Sequence, residues 1–109
     1  MRVLLDECVP KALGRSLIGH STRTVPQEGW SGKKNGMLLG LMATAGFEVL
    51  LTVDQGIQYQ QNLTSTGVAV VVMVGLSNDI DDLMPLVPGV LATLATIQPG
   101  EVVEVLPSP

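Results

Sequence analysis

The sequence predicts an α/β fold: a single three-layer αβα domain over residues 1–109, built on a mainly parallel five-stranded sheet with core order 2-1-3-4. Three observations lead there. Short apolar runs of strand length alternate along the chain with stretches of helical spacing. The runs Val49-Leu50-Leu51 and Val68 to Val74 are apolar without alternation, the pattern of strands covered on both faces. The composition, 46% hydrophobic and 15% charged, is that of a chain able to form a core, and it excludes the polar, highly charged disordered class.

Val3-Leu4-Leu5 reads as a first buried strand that ends in Asp6-Glu7. Pro10 suits a first helical turn, and Leu13, Leu17 and Ile18 form a helical stripe that stops at Gly19. His20 to Val25, with Thr22 and Thr24, is a half-polar second strand, and Pro26 to Lys34 is a loop. Met37, Leu38, Leu41, Met42 and Ala45 recur at helical spacing up to Gly46. Phe47 to Val53 is a third strand, ending at Asp54, and Gln55 to Gln61 is polar with at most one helical turn. After the fourth strand, Asn78 is placed to cap a helix whose first turn holds Asp79, Asp81 and Asp82. Pro85 and Pro88 split that helix, the second piece running from Pro85 to Ile97. Pro99-Gly100 turns the chain into a last strand, Glu101 to Leu106, set beside the fourth, and 107–109 form a loose tail.

The net charge of −4 hides an asymmetry. All six basic residues lie in the first 34 positions, against Asp6, Glu7 and Glu28, a net of +3; the other 75 residues carry seven acids and no Lys or Arg. Such a split gives a polar molecule one cationic face, suited to an anionic ligand. With Cys8 as the single cysteine no internal disulfide forms, and nothing points to an oxidising compartment. The longest apolar run, Val68 to Leu76, has nine residues, far short of the roughly 20 that span a bilayer. Asp6, Glu7 and Pro10 break any signal-peptide core in the first ten residues. The expectation is a soluble, cytoplasmic domain with no membrane partner.

In parallel sheets ligands bind beyond the carboxyl ends of the strands, where strand order reverses. The predicted order makes the first and third strands neighbours, so Asp6 and Asp54 face each other across that switch point. Lys33 to Asn35, Ser77 and Asn78 fall on the same edge. Paired carboxylates repel unless a cation lies between them, and carboxylate oxygens with waters suit Mg²⁺ or Mn²⁺. Response-regulator receivers also place acids at these two strand tips but require a lysine near the last strand; this chain has none beyond Lys34, which excludes that reading.

The chain resembles the PIN-like domains, specifically the short predicted nucleases of toxin–antitoxin systems. The resemblance covers most of the chain: Val3-Leu4-Leu5-Asp6-Glu7 with Val9-Pro10, the Glu28-Gly29-Trp30-Ser31-Gly32 loop, the helix from Asn35-Gly36-Met37-Leu38-Leu39 to Ala45-Gly46, and Val49-Leu50-Leu51-Thr52-Val53-Asp54. It implies a ribonuclease using Mg²⁺ or Mn²⁺, with Asp6 and Asp54 as metal ligands and Glu7 and Asn35 completing the catalytic set. Asn35 departs from the family, which has Asp there; an amide oxygen still ligates a cation but brings no charge. Lys11, Lys33 and Lys34 are the expected substrate contacts, binding RNA phosphates without reading sequence. An antitoxin protein is the implied partner, and the apolar runs leave room for a homodimer face. The alternative is a catalytically impaired PIN-like scaffold that binds a protein or RNA partner.

Other residues have plainer roles beside the functional ones. Arg15 reads as a solvated helix residue or a phosphate contact. Trp30 and Tyr59 stack on a base or pack, and Gln58 and Asn62 orient a metal water or form a surface turn. His20 is structural, Cys8 is buried and inert, and Asp79, Asp81 and Asp82 complement a helix dipole.

Overall fold

Five short strands form one all-parallel sheet in the order β2-β1-β3-β4-β5 in the computed structural model, which describes residues 1–33, 35–55 and 66–107. The strands are β1 (Arg2–Leu5), β2 (Ser21–Thr24), β3 (Val49–Thr52), β4 (Ala69–Met73) and β5 (Val102–Val105). The chain adds β2 on one side of β1 and then crosses to the other side to lay down β3, β4 and β5. Strand order therefore reverses between β1 and β3, as the alternation of strands and helices predicts.

Every residue of β3 and β4 is buried, which explains their unbroken apolar sequence. Alternate side chains feed two cores. Val3, Leu5, Val49, Leu51, Val71 and Met73 face Leu13, Leu17, Leu83, Leu86, Val90 and Leu94. Leu4, Leu50, Val70 and Val72 face Val25, Leu38, Leu39, Met42 and Phe47. The second face is covered by α1 (Asn35–Ala45); the first by a 3-10 helix (Lys11–Ser16), α2 (Ile80–Leu83), a short 3-10 turn (Met84–Leu86) and α3 (Val87–Leu94). The result is the expected three-layer αβα arrangement.

Helix α1 is apolar almost all round, and its buried face is Leu38, Leu39 and Met42, with Met37 59% exposed. The inward stripe is thus rotated from the Met37-Leu38-Leu41-Met42 phase that spacing suggests. Gly46, at φ 84°, ends the helix: its N–H reaches Ala43 O at 3.2 Å and the Phe47 N–H reaches Met42 O at 2.9 Å. This is the paired closure that a left-handed glycine permits.

Three local expectations are corrected. The segment after Pro10 is a 3-10 helix that ends at Leu17 (φ −86°, ψ 66°), so Ile18 leaves the stripe and is 80% exposed. The later helix has Asp79, not Asn78, at its N-cap position and no side-chain cap bond there; the Ser77 hydroxyl accepts the Asp79 N–H at 3.0 Å and donates to Asp82 Oδ2 at 2.5 Å. Cys8 is half-buried, not buried.

Candidate functional site

Asp6 follows β1 directly, and Asp54 stands two residues beyond the end of β3. Adjacent strands run about 4.8 Å apart, and the Asp6 N–H donates to Leu51 O at 3.0 Å, carrying the pairing of β1 with β3 out to the strand tips. Both acids therefore sit at the carboxyl edge of the sheet, on the neighbouring strands where the order reverses.

Thr52 joins the two tips. It is fully buried, and its hydroxyl donates to Asp6 Oδ2 at 2.8 Å while accepting the Asp54 N–H at 3.1 Å. Asp6 Oδ1 accepts the Glu7 N–H at 2.9 Å. The Asp6 carboxylate is thus fixed through both oxygens, with lone-pair capacity left on each. Cys8 Sγ lies 3.7 Å from the same Thr52 hydroxyl. In the sequence Thr52 stands only within the Val49–Asp54 motif; the signal for its role is a lone hydroxyl in an otherwise apolar buried strand, which must find partners.

Glu7 points to a different element. Its Oε1 accepts the Gly32 N–H at 3.0 Å and anchors the loop that carries Lys33. Within that loop Trp30 packs edge-to-face on Phe47, ring centroids 5.9 Å apart, and belongs to the margin of the core. The contact shown for Trp30 is thus a packing one, with the ring only partly buried. Arg2 lies over the Phe47 ring, its guanidinium carbon 4.4 Å from the ring centroid.

Asp6, Glu7 and Lys11 line a cleft of about 450 Å³ together with Val9, Pro10, Thr24, Pro26 and Gln27. Lys11 opens the 3-10 helix and is exposed, as is Lys33. Asn35 is the first residue of α1. Lys34, Gln58, Tyr59 and Asn62 lie outside the described residues, and so does the Asn35 side chain. His20 stands at the opposite end of the strands, its Nδ1 3.3 Å from the terminal amino group, in keeping with a structural role.

No family model matches the chain, and no curated protein or solved structure does.

The site's chemistry rests on its own donors. Among the described residues no group of three or more His, Cys, Asp or Glu side chains is placed to hold a metal ion. A pair of carboxylates at one sheet edge would suit a hard cation that keeps most of its waters, as Mg²⁺ does, and not a cation that needs an all-protein cage. Among the described residues no helix is long and apolar enough to cross a membrane.

Proposed function

We propose that the chain is a divalent-metal-dependent ribonuclease of PIN-like type. The observation that carries this reading is the placement of Asp6 and Asp54 on adjacent parallel strands at the switch point, braced by one buried hydroxyl. Asp6 and Asp54 are the residues that would hold Mg²⁺ or Mn²⁺, with the Asn35 amide as a further oxygen donor. When bound, the cation polarises a phosphoryl oxygen and activates water for attack. Thr52 keeps the Asp6 carboxylate from rotating. Glu7 holds the Gly32–Lys33 loop at the edge of the cleft, and Lys11, Lys33 and Lys34 draw the RNA phosphates toward it. The test is a labelled single-stranded RNA pool incubated with Mn²⁺. Slow cleavage is expected, stopped by EDTA, weakened by rising salt and eliminated by Asp54→Ala.

A second reading, a scaffold that binds without cutting, is favoured by two observations. Asn35 supplies no charge at the start of α1, and the Glu7 carboxylate is already engaged by Gly32. If the natural protein leaves RNA intact while Asn35→Asp cuts it, the scaffold reading holds. If neither cuts, the nuclease reading fails. A toxin role, with an antitoxin as partner, follows from the sequence resemblance alone, and co-purification with the product of a neighbouring small reading frame would test it.

A further inference from the structure

A second, smaller cleft of about 160 Å³ lies between the 3-10 helix and β2, the edge strand of the sheet. Its polar lining is cationic or neutral, with no carboxylate. Lys11 and Arg15 enter from the helix, four residues apart, and among the described residues neither makes an ion pair. Arg23, the third cation of the lining, is by contrast held by Glu28 at 2.7 Å. The available positive charge is therefore that of Lys11 and Arg15.

The edge strand adds neutral donors. Ser21 and Val25 turn their N–H groups toward β1, reaching Met1 O and Leu5 O at 2.9 and 3.0 Å. By the alternation of a parallel ladder, the Thr22 and Thr24 N–H groups point out of the sheet. The Thr24 N–H is taken by Gln27 Oε1 at 2.9 Å. Among the described residues neither the N–H nor the hydroxyl of Thr22 has a partner. Gly14 lets the helix come close to this strand: a Cβ there would lie 2.6 Å from Thr22 Oγ1. An ammonium, a guanidinium, a hydroxyl and a backbone N–H thus line one small cleft without an acceptor charge. A tetrahedral oxyanion suits that donor set, and the guanidinium fork pairs with two of its oxygens at once.

We propose that this cleft binds a phosphate group, and that in the working protein it is a backbone phosphate of a nucleic-acid strand. Lys11, Thr24 and Gln27 line both this cleft and the larger one at Asp6 and Glu7, so a strand lying across the strand-tip acids continues onto Arg15 and Thr22. The anion preference stands on these residues; the nucleic-acid source rests on the proposed function.

The test runs in EDTA at low salt, where no cleavage occurs, so it is separate from any failure of the nuclease reading. Inorganic phosphate is titrated into ¹⁵N-labelled protein, and binding of a fluorescent single-stranded oligoribonucleotide is followed by anisotropy. Phosphate is expected to shift the Thr22 amide in the natural protein and not in Arg15→Gln. Oligonucleotide affinity is expected to fall about 5- to 10-fold in Arg15→Gln, an exposed position that leaves the core untouched. The slope of log K against log salt should shrink by about 0.7, one single-strand phosphate contact. A Thr22 amide indifferent to phosphate overturns the site. A responsive amide with oligonucleotide binding independent of Arg15 overturns the strand source and leaves a pocket for free phosphate.

Discussion

Replacing Thr52 by Val keeps the shape of the side chain and removes the hydroxyl that braces the two strand tips. The structure sets the size of the effect. One bond lost is the donor to Asp6 Oδ2 at 2.8 Å, and the other is the acceptor for the Asp54 N–H at 3.1 Å. A hydrogen bond to a carboxylate contributes about 1.5–3 kcal/mol. Asp6 is half-buried and recovers part of its hydration, so the lower end applies, and the Asp54 N–H adds a few tenths. The expected loss is about 2 kcal/mol. For 109 residues that lowers the melting temperature by about 8 °C, at roughly 4 °C per kcal/mol. Urea unfolding of three proteins measures it: natural, Thr52→Val and Thr52→Ser. Serine keeps both bonds and loses one buried methyl, a cost of about 1 kcal/mol. The hydroxyl account therefore orders stability as Thr above Ser above Val. Burial of apolar area alone would place Val first at this fully buried position, and a Val variant at least as stable as the natural protein refutes the bracing role.

Gly14→Ala should cost about 1–3 kcal/mol in urea unfolding, because the added methyl would meet Thr22 Oγ1 at 2.6 Å and push the 3-10 helix from the edge strand. Leu39→Ala, a fully buried residue of α1, should cost about 2–5 kcal/mol by the same measurement. Glu7→Gln keeps an acceptor for the Gly32 N–H but removes a charge from the cleft; the loop should stay in place by amide chemical shift while oligoribonucleotide binding in EDTA strengthens about 2- to 5-fold. Asn35→Asp should tighten Mn²⁺ binding in calorimetry about 10-fold or more, since it adds a charged oxygen donor at the start of α1.

The sheet was legible because its strands carry their own evidence. Val49 to Thr52 and Ala69 to Met73 are buried on both faces, so their apolar runs admit a parallel sheet and little else. The acids at the tips of β1 and β3 follow from that order. The 3-10 helix was not legible as such: Leu13 and Leu17 are buried as a helical stripe requires, but Gly14 weakens an α-helix in mid-course, and the Leu13 and Leu17 N–H groups close back three residues, on Pro10 and Gly14. The face of α1 was ambiguous because its sequence is apolar on nearly every side, which leaves tertiary packing to choose between Met37 and Leu39. The grip of Thr52 on Asp6, and of Glu7 on Gly32, joins residues 46 and 25 positions apart. Such pairings depend on how strands and loops meet in space: the local pattern marks Thr52 as a hydroxyl that must find partners, but it does not say which ones.

Paramagnetic broadening by Mn²⁺ tests most directly whether the β1 and β3 tips form a metal site. Substoichiometric Mn²⁺ should broaden amide signals around Asp6, Glu7 and Thr52 through Asp54, and Asp6→Asn should abolish the effect. Broadening centred instead on Asp79, Asp81 and Asp82, or spread evenly over the acidic surface, would contradict the site.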